Sequence, residues 1–235
     1  QPALSNALRA LEKEFGAAIV KRGRTFVGFT SEGQRLLESA RRMLHEEELI
    51  RQDLSSVTGR PQGRLSLGVV PTAEPIAARF AARLHALHPG ITPVVRSMSS
   101  QDIEAGLENL MLDLGLGFTE RVRPGNPRLR SLAQYTEHYF LVRKAPSPGA
   151  QGIQFGAPLS WHEAAKLPLC LMTAEMHNRR IVDAAFAKAG TPVHPVLETN
   201  SILSLALSAI GGAVCSVMPG ALVGAVRAYS ELQAC

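Results

Sequence analysis

The stretch QPALSNALRALEKEFGAAIVKRGRTFVGFTSEGQRLL, residues 1–37, decides how the chain is read. Pro2 suits a first helical position, where a missing N–H has no intrahelical partner to lose. Leu4, Leu8, Leu11 and Phe15 then recur at spacings of four, three and four, which draws one apolar stripe along a helix. Gly16 is the expected stop. Ser5, Asn6, Arg9 and Lys13 fall on the opposite face, and all four can hydrogen-bond to phosphates or base edges. Residues 18–20 and 25–29 are short β-prone runs around Lys21-Arg22-Gly23-Arg24, a basic turn with glycine at its tip. That composition predicts a two-stranded wing. Taken in isolation, such a turn is better read as a solvated hairpin.

Working outward, Thr30 can cap a second helix that has Glu32 in its first turn. Leu36, Ala40, Met43, Glu47, Ile50, Leu54 and Val57 follow at alternating spacings of four and three, an a/d heptad with charges on the remaining positions. A buried helix could carry the same stripe, but the long uncapped run and the polar Glu46–Glu48 triplet favour a helix that pairs with a second copy. The helix ends at Gly59-Arg60-Pro61-Gln62-Gly63, a linker by composition. Beyond it the pattern changes. Strands are predicted at 64–70, 91–98 and 113–118, with helices at 74–90 and 100–112 between them. A second set follows, with strands at 139–143, 169–172, 193–198 and 213–217 and helices at 179–189 and 201–210. Strands alternating with helices of this length predict βαβ units and largely parallel sheets.

The 235 residues are 46% hydrophobic and 19% charged, enough apolar surface for real cores. Disorder, a collagen-like repeat and a disulfide-stapled miniprotein are excluded. No run reaches the roughly 18 apolar residues of a membrane span. The richest, 201–226, is broken by Ser, Gly and Pro. No charged-then-apolar leader stands at Gln1, so the expected compartment is the cytoplasm. Cys170, Cys215 and Cys235 are odd in number and widely spaced, which fits buried thiols better than disulfides or zinc. Residues 1–42 carry eight Lys and Arg against four Glu, so they hold four of the five net positive charges. A basic end invites a polyanion. No dinucleotide fingerprint, phosphate loop, zinc-protease helix or nucleophile elbow is present, so no cofactor and no enzymatic activity are expected. His85 and His88 lie three apart on a predicted helix without a third ligand nearby, so no metal is expected either.

The constellation PALS, LEKEFG, Arg22 and TSEG resembles the DNA-binding end of LysR-type transcriptional regulators. RLSLGV followed by PT, then LDLGLGF and AIGGAVCSVMP, fall in the order of that family's effector domain. The resemblance spans essentially the whole chain. Ile19-Val20, Phe29 and Phe15 replace the usual Leu-Phe, Leu and Leu, all apolar exchanges. The fold it implies is an α/β effector domain of periplasmic-binding-protein type with two βαβ subdomains. A partial winged helix-turn-helix and a long linker helix precede it. The implied limits are 1–30 for the partial DNA-binding domain, 31–58 for the linker helix and 59–63 for a hinge. Residues 64–138 and 139–228 are then the effector subdomains, and 229–235 start the return to the first. The family has two helices before the segment that opens here, and a strand and helix after the one that closes it. Those elements are expected to be missing from this chain.

The resemblance also implies sites. The recognition helix would set Pro2, Ala3, Ser5, Asn6, Arg9 and Lys13 toward the major groove of double-stranded operator DNA, where Asn and Arg read bases bidentately. Lys21, Arg22 and Arg24 would meet phosphate or the minor groove. The effector would lie between the subdomains, at strand C-termini and helix N-termini that favour an anion. Thr72, Ser99, Ser100, Thr119, Met172, His177, Thr199 and Asn200 are the candidates, with Thr72, Ser100 and Asn200 readable equally as helix caps. A small acid is the expected effector. The chain would dimerise through its linker helix, form tetramers as the family does, and have no membrane partner. A cytoplasmic solute-binding module without a DNA role is the alternative.

Overall fold

The computed structural model describes residues 2–21, 23, 26–55, 61–121, 129–149 and 151–235. Arg22, Arg24, Val57, Gly59 and Arg60 from the expectations above lie outside the described residues. Helix α1 runs Pro2–Phe15 and ends at Gly16, whose φ of 64° is left-handed as a helix stop requires. Its Glu12 carboxylate accepts the Ile19 N–H at 2.8 Å, which folds the following segment back on the helix. The expected stripe is not packed away: Leu4, Leu11 and Phe15 are exposed, since no described element covers them. Of the wing, the described residues show one antiparallel bridge, Val20 to Phe29, beside an N–H of Lys21 donated to Gly28.

Helix α2 spans Ser31–Ser55. Thr30 caps it, its hydroxyl accepting the Gly33 N–H at 2.9 Å. Gly33 has its own reason. A Cβ there would sit 2.0 Å from the Ile19 carbonyl oxygen, so only glycine lets this helix settle on buried Ile19. The Thr30 and Gly33 spacing is thus a cap and a close approach in one turn.

The first lobe is a parallel sheet of β1 (Gly63–Val69), β2 (Ile91–Ser97) and β3 (Leu114–Leu116) in the order β2-β1-β3. A 3-10 turn, Pro71–Ala73, leads from β1 into α3 (Glu74–Leu87), and α4 (Ser100–Glu108) follows β2. Leu67, Val69 and Ala77 bury on one side, and Val70, Ala73, Ile103 and Leu112 on the other. The helix expected at 100–112 is shorter, because Leu110 turns left-handed with φ 57° and the Gly106 carbonyl accepts the N–H groups of Met111 and Leu112. That turn tucks Leu112 against Gly106.

The second lobe contains β4 (Tyr139–Lys144), β5 (Gln154–Phe155), α5 (Trp161–Ala164), β6 (Leu169–Met172) and α6 (His177–Lys188). It continues with β7 (Leu197–Thr199), α7 (Ile202–Ile210), β8 (Cys215–Pro219), α8 (Gly220–Ala225) and β9 (Leu232–Ala234). Its six strands lie in the order β5-β9-β4-β8-β6-β7. The sheet is largely parallel as expected: five of its six strands point one way, and β4 alone runs antiparallel to its neighbours β8 and β9. The strand expected at 193–198 shrinks to β7, because Pro192 and Pro195 cannot donate to a ladder. Residues 229–235, expected to start the return to the first lobe, carry β9. Leu232 and Ala234 bury beside Val142, and that burial holds β9 in the second sheet. One face is covered by α7 and α8 through Leu205, Ala209 and Leu222. The other buries Val182 and Phe186 of α6, with Trp161 edge-on to Phe186 at 4.9 Å. Among the described residues no helix is long and apolar enough to cross a membrane.

Candidate functional site

The C-terminal ends of β1, β2 and β6 open onto one cleft between the lobes. Val70, Pro71, Thr72, Met98, Ser99, Ser100 and Phe118 line it from the first lobe. Met172, Met176, His177 and Asn178 line it from the second. The cavity between them is about 10 Å3, the room of a single water.

The sequence places the polar groups here by its helix starts. Ser99 has extended backbone and caps α4, accepting the Asp102 N–H at 3.2 Å and donating to the Asp102 carboxylate at 2.7 Å. Its hydroxyl is therefore occupied. Ser100, one residue on, is only 8% exposed, and its Oγ is buried with no partner. Thr72 is buried in the 3-10 turn that leads into α3. On the second lobe, α6 begins at His177 without a side-chain cap. His177 Nδ1 is buried without a partner, while Nε2 lies 3.4 Å from the Glu120 carboxylate of the first lobe. The Phe118 ring packs against the imidazole at 4.9 Å. Buried Asn178 donates to the Tyr139 hydroxyl at 3.0 Å. Burial, with Glu137 adding to it, pushes that phenol well above its ordinary value, so it stays neutral.

Of the eight effector candidates, the structure gathers Thr72, Ser99, Ser100, Met172 and His177 around the cavity. The other three stand apart. Thr119 is exposed at the start of the turn Thr119–Arg121, Thr199 accepts the Ser201 N–H at 3.1 Å, and Asn200 is exposed beside it. Ser201, not Asn200, caps α7. Sequence reasoning missed Met98, Phe118, Met176 and Asn178 as lining, and Glu120 as the partner of His177. Apolar lining reads as core in sequence, and Glu120 gave no signal. A larger groove of about 580 Å3 runs between the end of α2 and the start of β1. It is a seam between helix and sheet, and none of the unpartnered buried polar atoms among the described residues lines it.

On α1, Ala3, Ser5, Asn6, Arg9 and Lys13 are exposed, as is Lys21 beyond it. Along α2, Met43, Leu44, Ile50 and Leu54 are all more than half exposed, so the heptad's central positions face outward.

Residues 58–234 match the family model described as LysR substrate binding domain. The chain belongs to that family. Among relatives of this LysR chain, the HTH-type transcriptional regulator cbl of Escherichia coli (strain K12) is 28% identical over 202 residues, covering 85% of the chain. The chain spans 62% of the length of cbl. Full-length CbnR, solved in complex with its target DNA, matches the fold with a TM-score of 0.65 at 20% identity, over 100% of this chain and 78% of CbnR. The regulatory domain of CcmR from Synechocystis PCC6803, solved in complex with 2-PG, matches with a TM-score of 0.53 at 20% identity, over 74% of this chain and 80% of that one.

Proposed function

We propose that this LysR chain belongs to a bacterial transcription regulator that binds operator DNA and answers to a small-molecule effector held between its lobes. The observation that carries this reading is the cleft itself. Ser100 and His177, each with a buried polar atom that has no partner (Oγ and Nδ1), line it from opposite lobes, so a ligand there contacts both lobes at once. A ligand that favours one arrangement of the lobes shifts the populations of the whole chain, and through α2 the geometry of paired DNA-binding ends. The exposed polar face of α1, with Ser5, Asn6, Arg9 and Lys13, supports a recognition helix in the major groove. The outward apolar residues of α2 support pairing with a second copy, and tetramers follow if effector domains pair as well. A small acid suits the groups at the cleft best, because the first turns of α4 and α6 present free amides there, and the lobes must part to admit it, since the cavity has the room of one water. The regulator acts in the cytoplasm and performs no catalysis; cbl and CbnR, as named, are regulators or DNA binders.

The test is a gel-mobility assay of the full-length regulator on DNA from upstream of its own gene, with and without short-chain acids. Retardation that an acid alters is the expected result. Acid binding with no retardation of any DNA would favour a solute-binding module instead.

A further inference from the structure

We infer that Phe118 and Glu120 form a clasp between the lobes. Carried on the turn that leaves β3 in the first lobe, they grip His177 of the second, and this contact must break for the cleft to open. The clasp deepens, and rests on, the reading of the cleft as the effector site, because it is the contact that an incoming ligand displaces.

Each lobe holds its half of the clasp firmly. In the first, the Val70 N–H donates to the Leu116 carbonyl at 3.0 Å, which ties the end of β3 to β1. Phe118 comes two residues later and packs against Val70, Ala73, Ile103 and Leu112. Glu120 follows within the 3-10 turn Thr119–Arg121. In the second lobe His177 opens α6, and both residues after it are anchored. Asn178 donates to the Tyr139 hydroxyl of β4, and Arg179 donates to the Met172 carbonyl at the end of β6. The imidazole is thus fixed to its own sheet and cannot follow the first lobe when the angle between the lobes changes. Such a change must pull it from the Phe118 ring, 4.9 Å away between centroids, and from the Glu120 carboxylate, 3.4 Å from Nε2.

A second contact joins the lobes and is of a different kind. Helix α8 packs against the turn Pro71–Ala73 and against α3. Pro71, Thr72 and Ala73 are all buried, and Leu222 and Val223 of α8 belong to the core of the second lobe. Apolar burial is non-directional, so it survives a rotation with little loss. A ring contact and a hydrogen bond depend on angle and distance, so the same rotation costs the clasp first. The Glu120 side chain is 57% exposed and regains water as soon as it lets go. Helix α8 is therefore the pivot, and the clasp is the release. The cleft has walls from both, Pro71 and Thr72 beside the pivot and Phe118 and His177 at the clasp. A ligand larger than one water drives the clasp apart while the turn Pro71–Ala73 stays seated.

The experiment is amide hydrogen exchange, read by mass spectrometry, on the unliganded 235-residue chain and its variants. The probes are the first turns of α4 and α6, which stand on opposite walls of the cleft. Glu120→Ala should speed their exchange about threefold, and Phe118→Leu combined with Glu120→Ala about tenfold. The amides of β1 and β6 should keep their wild-type protection, because only the local opening changes. Leucine at position 118 keeps an apolar contact with the first-lobe cluster and removes only the ring. His177→Ala should also speed exchange at the α4 turn, and adding Glu120→Ala to it should change nothing further, because the partner has already gone. Unchanged exchange at both turns in the double variant overturns the clasp. So does faster exchange spread equally over β1 and β6, or an undiminished effect of Glu120→Ala in the His177→Ala background. Each of these leaves the effector reading standing, since the gel-mobility assay decides that separately.

Discussion

Arg179→Leu probes what holds the second wall of the cleft in place. The residue is 8% exposed, and its guanidinium ties three elements together. Nη1 donates to the Met172 carbonyl at 2.8 Å and to Glu198 at 2.6 Å, while Nε donates to Asp183 at 2.8 Å. Those bonds join the end of β6, the edge strand β7 and the first turns of α6, where His177 and Asn178 stand. The carboxylates are 46% and 47% exposed, so each recovers water when the arginine goes, and each pair is worth only about 0–1 kcal/mol. The Met172 carbonyl is different. It belongs to a residue 2% exposed, and losing its donor costs about 1–3 kcal/mol. Leucine keeps part of the stem's packing, so the sum comes to about 2–4 kcal/mol, read as a lower urea midpoint at unchanged slope. Arg179→Lys keeps a charge but cannot fork, and should lose about half as much. High salt should narrow the gap only slightly, because the carbonyl bond is not screened. A change within about 0.5 kcal/mol for Arg179→Leu would refute the reasoning, since it would mean the buried carbonyl finds water without help.

Gly33→Ala places a Cβ 2.0 Å from the Ile19 carbonyl oxygen, and the backbone shift it forces should cost about 1–3 kcal/mol in thermal unfolding; an unchanged melting temperature would show that α2 can slide. Met43→Asp with Leu54→Asp charges two outward positions of α2, and sedimentation should show the assembly falling apart; an unchanged sedimentation coefficient would move the pairing to the effector lobes. Ser99→Ala removes a helix cap and should destabilise the fold by about 0.5–2 kcal/mol while sparing acid affinity. Ser100→Ala should do the reverse, keeping or raising the melting temperature because an unsatisfied buried hydroxyl is gone. Equal effects of the two serines on either readout would contradict the division of roles.

How much of this was legible depended on whether the signal was local. Proline, glycine and an unbroken apolar run mark β1 and β6 within a residue, and Thr30 announces α2 by its own hydroxyl. The end of α4 was hidden, since Leu110 and Leu112 continue a helical stripe while the turn is made by Leu112 packing under Gly106, a contact formed only once the sheet exists. Strands β5 and β9 have two and three residues, too few for alternation to register. Helix α5 could have been found: Ser160 and Glu163 form a capping box whose spacing stands in the sequence. The site divides in the same way. Thr72, Ser100 and His177 were reachable because strand ends and helix starts converge in such folds, whereas Thr199 ends and Asn200 follows the edge strand β7, one strand beyond β6, and neither lines the cavity. What no pattern distinguishes is Ser99 from Ser100. They are adjacent and chemically identical, and the first helical φ and ψ decide which becomes the cap. A helix beginning one residue later would turn Ser100 inward on its own backbone and leave Thr72 as the buried hydroxyl of the cleft. Which of the two serines lines the cleft uncapped thus hangs on the register of α4, whose Ile103 packs with Leu112 in the core of the first lobe.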